Sequence, residues 1–557
     1  MMYSSKILSV SLLALLLPAC ALKPAAPEQV TIFSINDFHG NLQSEQPVPY
    51  QYTQNHNGKV VNGAAGGYAY LAAKLKERRA AVGASILVGA GDLMGASPMG
   101  SALLKDEPVV EALNRIDLSV TAVGNHEFDS GTADLMRRIQ GGCPQTGCAF
   151  SDFSGARYAY LGANVIDKTT RQAWLPPYVV RQVGNLKIGF IGAVTADVPN
   201  LVAGDAVKQL EFEDEAKAIN RYVPELQKQG VDAIVVLIHE GANFKGSEND
   251  PTYRCEGLQG PVIGIANRID PAVSLIVSGH SHQGYTCKIG NKLVVQGRSY
   301  GAFLTESTLS IDKASRRVVK AEAVNHLIDQ QQIVPDAAAQ KLVAEVSRLT
   351  ASMRSRPVIS LNKPLLRFSQ DKVFDSTLGN LIADAQLHHA QHIGQADIAF
   401  MNSGGIRNDL PSGVNTSPVQ VNFGDLYAVQ PFGNGVIRLK MTGEQIRQVL
   451  QQQWQNRLAG EVKKLFVSDG FSYEWHQKAV AAEQIQNLRL HGELLSNEKM
   501  YTVIVNSFLA DGGDGFTVFR QASERALIGR DLDAMESYIR EAGRKIEQIP
   551  VNRVILK

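Results

Sequence analysis

Five apolar runs in this chain end in side chains able to hold a metal ion. Val30–Ile35 leads into Asp37 and His39, Ser85–Val88 into Asp92, Leu118–Val123 into Asn125 and His126, Ala233–Ile238 into His239, and Val273–Val277 into His280 and His282. Setting His126 aside, Asp37, His39, Asp92, Asn125, His239, His280 and His282 are seven N/O donors. That is too many for one tetrahedral ion, and suited to two divalent ions sharing a bridging carboxylate. Taken singly, an Asp behind a strand is more often a helix cap and a His a hydrogen-bonded surface residue. The recurrence of Asp-x-His, Gly-Asp, Gly-Asn-His-Glu and Gly-His-x-His groupings at strand ends is what points to a metal centre. Imidazole-rich N/O ligation favours zinc or manganese over calcium.

Donors spread this widely along the chain meet only if the strand ends are gathered on one edge of a layered sheet structure. From Val30 to about Asp329, short β-branched runs alternate with helical patterns such as Tyr68–Arg79 and Glu213–Lys228, the signature of a layered α/β domain. Residues 336–355 carry apolar residues near the helical period and stop before Pro357, which predicts a connecting helix. A second α/β block follows, with a helix near Gly379–His392 and strands near Ala396–Met401 and Tyr501–Val505. A length of 557 residues fits two large domains better than one core. The expected division is 30–334, a connecting helix at 335–357, and 358–557.

Lys+Arg 55 against Asp+Glu 54 leaves no electrostatic footprint for polymeric nucleic acid, while a small charged ligand stays open. Lys6, the mostly apolar run Ile7–Leu17 and Leu17-Pro-Ala-Cys20 read as a signal peptide over residues 1–19, too short to span a bilayer. The tetrapeptide resembles a bacterial lipobox. Cys20 would then carry the lipid and residues 20–29 would form a tether, placing the protein in the periplasm or at the cell surface, as an outer-membrane lipoprotein. Four further cysteines fit an oxidising compartment. Three pairings are open; the short Cys143–Cys148 loop favours 143 with 148 and 255 with 287.

The ordered metal motifs resemble those of the calcineurin-like metallophosphoesterases. Thr377-Leu-Gly-Asn380, Asn402-Ser-Gly-Gly-Ile-Arg407, Pro431-Phe-Gly-Asn434 and Asn506-Ser-Phe508 through Asp514-Gly-Phe516 are similar to those of one branch, the bacterial exported 5'-nucleotidases. The resemblance covers residues 30–557. It implies a four-layer α/β-β-α metallophosphoesterase domain joined by the connecting helix to a smaller α/β substrate-binding domain. It also implies one ion on Asp37, His39, Asp92 and His282, and another on Asp92, Asn125, His239 and His280. His126 would stabilise charge on the phosphoryl group or leaving oxygen, with Asp129 orienting it. Phe432 and Phe508 would sandwich a base, Asp514 would hold the ribose, and Asn402 and Arg407 the phosphate.

The expected activity is release of phosphate and nucleoside from 5'-nucleotides by a monomer. Cyclic nucleotides, 3'-nucleotides, nucleotide sugars and NAD are alternatives on the same scaffold, and a non-catalytic surface binding protein is a distant one. The chain departs from close relatives before Thr377, where Arg367, Gln370, Lys372 and Phe374 stand in a segment that supplies more arginines there. Lysine lacks the bidentate fork of arginine, so the grip on phosphate differs. His388, His389 and His392, and the run Gln448–Gln455, are read as solvated helix faces.

Overall fold

Strands with almost no polar outer face need cover on both sides, and the runs that end in donors receive it. The computed structural model describes residues 26–43, 48–53, 60–143, 147–150, 152–202, 206–368, 374–411, 413, 417–455, 462–480 and 483–557. The leader, Cys20, Gln370 and Lys372 lie outside the described residues.

Two six-stranded sheets stack face to face in the first half. In one, the parallel strands Glu28–Ile35, Ser85–Ala90, Leu118–Ala122 and Ala159–Leu161 are extended on one edge by antiparallel Phe303–Asp312 and Arg317–Leu327. In the other, parallel Leu186–Val194, Ala233–His239, Val273–Ser278 and Lys292–Gly297 are flanked by antiparallel Tyr178–Val183 and Gly284–Ile289. Ile32, Val88 and Val120 from the first sheet pack against Phe190, Val235, Leu275 and Val295 from the second. Helices Tyr68–Ala81 and Glu107–Arg115 cover one outer face, and Glu215–Lys228 and Pro261–Arg268 the other. These are the four layers that the motifs imply. Consecutive donor strands lie side by side, so their carboxyl ends share one edge.

The helix Ala337–Arg354 starts at Asp336, whose carboxylate accepts from the N–H groups of Ala338 and Ala339. It buries Ala339, Leu342 and Val346 in the core of the first half. Beyond it stands a five-stranded sheet in the order Leu465–Val467, Ile398–Asn402, Met500–Asn506, Gly435–Thr442 and Ser523–Arg530. The helices Thr377–Ile393 and Asp531–Ala542 pack against it. Arg553 lies buried across this half, bidentate to Asp384 at 2.7 and 2.8 Å and bonded to the Val467 carbonyl. A charge so deeply buried is tolerated because a carboxylate and a carbonyl meet it.

Two sequence-based expectations change here. Gln453 is fully buried, its amide nitrogen donating to the Leu450 carbonyl and Tyr473 Oη while its oxygen accepts from Leu465 N–H, so Gln448–Gln455 is not one solvated face. His389 donates Nε2–H to the Ile528 carbonyl and helps fasten its helix to the edge strand. A short polar side chain is buried where it satisfies backbone groups at a chain crossing, and no single-sequence pattern marks such crossings.

Candidate active site

All seven donors converge on one edge of the sandwich, and the backbone departs from ordinary geometry to bring them there. Asp37, His39, Asp92, His280 and His282 have φ of 49°, 47°, 49°, 71° and 56°. Left-handed backbone is uncommon outside glycine and costs on the order of 1–3 kcal/mol per residue, so it persists only where the surroundings hold it. Asn36 supplies part of that hold. Its amide nitrogen donates to Asp37 Oδ2 and to the Arg298 carbonyl, while its oxygen accepts from Gly297 N–H. Glu127 supplies more: fully buried, its carboxylate accepts from the N–H groups of Asp92, Leu93 and Gly124 at 2.9, 2.8 and 2.7 Å. One carboxylate therefore ties together the two loops that carry Asp92 and Asn125. Gly124 must be glycine for a related reason, since a Cβ there would stand 2.2 Å from Asp92 Oδ1.

Asp37, His39 and His282 form one metal-competent group, and Asp92, His239 and His280 form another. Asp92 Oδ2 lies 3.0 Å from His239 Nε2 and 3.8 Å from His39 Nε2, between the two groups. Asn125 Oδ1 faces His239 Nε2 at 3.1 Å. His39 and His239 give their Nδ1–H groups to the carbonyls of Gly95 and Ala90. Their Nε2 lone pairs are left facing His282 Nε2 in one case, and Asp92 and Asn125 oxygens in the other. Lone pairs gathered at about 3 Å repel unless a proton or a cation lies among them, and outer-shell carbonyls on the far nitrogen are how ligating imidazoles are oriented. This donor chemistry fits two divalent ions.

Burial pushes His39 and His280 down to about 3 and His282 well below the usual range, so these rings are neutral, the form that ligates. Burial also raises Asp37, to about 7. At His239 burial opposes the charge, but the Asp92 and Asp37 carboxylates outweigh it and push the ring up to about 10, so its Nε2 calls for a proton or, in its place, a cation between the Asp92 and Asn125 oxygens.

His126 lies beside this group. Its Nδ1–H donates to Asp129 Oδ2 at 2.9 Å, and Asp129 also accepts from Ala96 N–H, so Asp129 serves the ring rather than a helix end. The second half completes the cleft, a cavity of about 380 Å³ lined by Asp92, Asn125, His126, His280 and His282 on one wall and Arg407, Phe432, Phe508 and Asp514 on the other. Phe432 lies nearly parallel to His126, centroids 5.7 Å apart, and the Arg407 guanidinium sits over the Phe432 ring at 5.8 Å. Phe508 packs against Gly513, where a Cβ would come within 2.5 Å of its ring. Asn402 lines the cavity with its side chain engaged: its nitrogen donates to Asp514 Oδ2 at 2.7 Å and its oxygen accepts from Asn506. It is placed to orient Asp514. Arg367 donates to the Arg407 carbonyl, supporting that residue from behind, and Phe374 is buried edge-on to Trp475.

Four residues at the site escaped the sequence reading. Glu127 stands inside the Gly-Asn-His-Glu grouping, and its adjacency to Asn125 was the available signal. Asn36 adjoins Asp37 in the same way. Tyr300 packs its ring near His39 and His282 and its hydroxyl lies 3.5 Å from Arg407. Lys463 lines the cleft 4.0 Å from Asp514. Neither of these two carries any motif. The structure also brings Cys143 to Cys148 and Cys255 to Cys287 at disulfide distance, with Cα separations of 4.5 and 5.6 Å.

Comparison with known proteins places these features in a family. A calcineurin-like phosphoesterase model matches residues 30–284, and a model of the 5'-nucleotidase C-terminal domain matches residues 358–521. The chain is 32% identical over 544 residues to endonuclease YhcR of Bacillus subtilis (strain 168), with 96% of this chain aligned but only 42% of that protein's length. It is also 32% identical to cell wall protein Lmo0130 of Listeria monocytogenes, covering 95% of this chain and 69% of the relative. Among solved structures, a 5'-nucleotidase precursor from Thermus thermophilus superposes with a TM-score of 0.75 at 25% identity, over 95% of this chain and 99% of the other.

Gly124→Ala should keep the fold by circular dichroism but displace Asp92. Divalent-metal content is expected to fall and hydrolysis of a phosphate ester to drop by about 10²-fold, the scale set by an ångström of misplacement. A fully metallated Gly124→Ala enzyme with wild-type turnover would show that the tight Gly124–Asp92 approach is dispensable.

Proposed function

The chain belongs to the 5'-nucleotidase family of calcineurin-like phosphoesterases, and from that premise we propose that it is an exported nucleotidase releasing phosphate and nucleoside from nucleoside 5'-monophosphates. The observation that carries the reading is the composition of the interdomain cleft. Metal donors and His126 form one wall, while two aromatic rings, an arginine and the Asp514 carboxylate form the other.

Asp37, His39, Asp92 and His282 would hold one divalent ion, and Asp92, Asn125, His239 and His280 the second, with zinc or manganese suited to these donors. When bound, such a pair polarises phosphoryl oxygens and lowers the pKa of a water molecule. Asp129 fixes the His126 tautomer and carries part of its charge, leaving Nε2 to meet the phosphoryl group or the leaving oxygen. Arg407, braced by Arg367, supplies a fixed positive charge to the phosphate. Phe432 and Phe508 provide stacking faces for the base, which tolerates several bases because each has a π-face. Asp514, held by Asn402, accepts from ribose hydroxyls.

A panel of 5'-monophosphates, 3'-nucleotides, 2',3'-cyclic nucleotides, nucleotide sugars, NAD and a single-stranded oligonucleotide, each with and without EDTA, tests the assignment. The 5'-monophosphates should turn over fastest and EDTA should abolish the reaction. Faster cleavage of the oligonucleotide or a cyclic nucleotide would replace this reading with a phosphodiesterase. Phe432→Ala or Phe508→Ala should raise KM for nucleotides by about 1–3 kcal/mol, the contribution of one stacked ring. p-Nitrophenyl phosphate should lose much less; equal losses on both substrates would mean the rings are structural.

Export rests on the leader-like sequence and on the two cysteine pairs, which suit an oxidising compartment as disulfides. No described helix is long and apolar enough to cross a membrane, so attachment to the outer membrane would fall to a lipid on Cys20. Cys20→Ser should shift the protein from the membrane fraction to the soluble one, and retention in the membrane fraction would eliminate the anchor.

A further inference from the structure

His388 and His392 stand one turn apart near the end of the helix Thr377–Ile393. His389, between them in sequence, is turned away to the Ile528 carbonyl, and the third ligand comes instead from a different helix late in the chain. Glu541, on the helix Asp531–Ala542, places Oε1 at 3.3 Å from His388 Nε2. One ligand atom from each of the three residues lies within 4.8 Å of the other two. The two imidazole rings are 4.3 Å apart, and Tyr538 braces His388 edge-on at 5.1 Å.

The tautomer is fixed as well. His392 Nδ1 lies 2.9 Å from the His388 backbone carbonyl, a contact that needs the proton on Nδ1 and leaves Nε2 with the ring's lone pair. A ligating histidine is ordinarily oriented in this way, by donating its other nitrogen to a carbonyl or carboxylate. A separation of 3.3 Å is also the edge of a tetrahedron with metal–ligand bonds of about 2.0–2.1 Å, the range for imidazole and carboxylate on zinc. The side chains of His388 and Glu541 are 25% and 60% exposed, so an ion can enter and keep water as a further ligand.

We propose that His388, His392 and Glu541 form a third divalent-metal site, on the outer face of the second half and separate from the cleft. Two imidazoles and one carboxylate select zinc, nickel or copper over magnesium and calcium. The ion joins the C-terminal ends of two helices that pack side by side over the sheet bearing Asn402 and Asn506. Its effect is on the stability of that half, since none of the three residues lines the cleft. Without the ion, His388 and Glu541 are left with a solvent-exposed contact at 3.3 Å, of a kind worth little.

Zinc content of the full chain, measured by mass spectrometry after dialysis against buffered micromolar Zn²⁺, tests the site. Wild type should retain one Zn²⁺ per chain more than His388→Ala/His392→Ala, and Glu541→Gln should weaken that extra ion by about tenfold or more. Zn²⁺ should also slow amide exchange at the ends of both helices in wild type and leave the double variant unchanged. His392→Gln, a milder change at an exposed position, serves if the double variant is not folded by circular dichroism. Equal zinc content in wild type and the folded variant overturns the proposal, as does an extra ion that leaves both helix ends unprotected.

Discussion

Everything at this site depends on gathering electron-pair donors that repel one another. Asp92 Oδ2 and Asn125 Oδ1 each lie about 3 Å from His239 Nε2, and the nitrogens of His39 and His282 face each other at 3.1 Å. Five of the seven donors sit on left-handed backbone to reach this arrangement. Such strain is stable only if the rest of the fold determines it independently. The stacked sheets, the Glu127 carboxylate spanning two loops and the Asn36 bridge to Gly297 and Arg298 do that with contacts of the chain itself. The site is preorganised, and a bound cation relieves the repulsion.

The second half of the chain uses the same device at lower charge. Asn402 and Asn506 end neighbouring parallel strands, and their side chains bond to each other and pass the geometry on to Asp514, itself at φ 54°. Phe508 follows directly, while Phe432 enters from the loop before the next strand. Two strand-end clusters, one rich in His, Asp and Asn side chains and the other in Asn and aromatic ones, meet where Phe432 covers His126 and Arg407 approaches Tyr300.

The layered α/β architecture, the helix between the halves and the convergence of seven strand-end Asp, Asn and His residues were legible because each leaves a local signature: a β-branched run, a 3.6-residue period, a polar side chain behind a strand. Signals that arise only on folding were not. Nothing near Lys463 or Tyr300 in the sequence announces that tertiary packing will bring either to the cleft. That Asp514 and Asn506 would engage the Asn402 amide is equally silent in the sequence. Gln453 and the His388–Glu541 pairing fail for the same reason, since burial and long-range partners depend on chain crossings. Left-handed φ at Asp and His was likewise invisible, because residue type permits it without requiring it.

The central claim is that two cations share Asp92, and Asp92→Asn tests it most directly when metal content and turnover are read on the same preparation. Amide nitrogen in place of one carboxylate oxygen removes the bridging charge with little change in shape. The variant should be a folded protein with fewer than two bound divalent ions and no measurable phosphate release from a nucleoside 5'-monophosphate. A variant that keeps both ions and hydrolyses at a near-normal rate would contradict it.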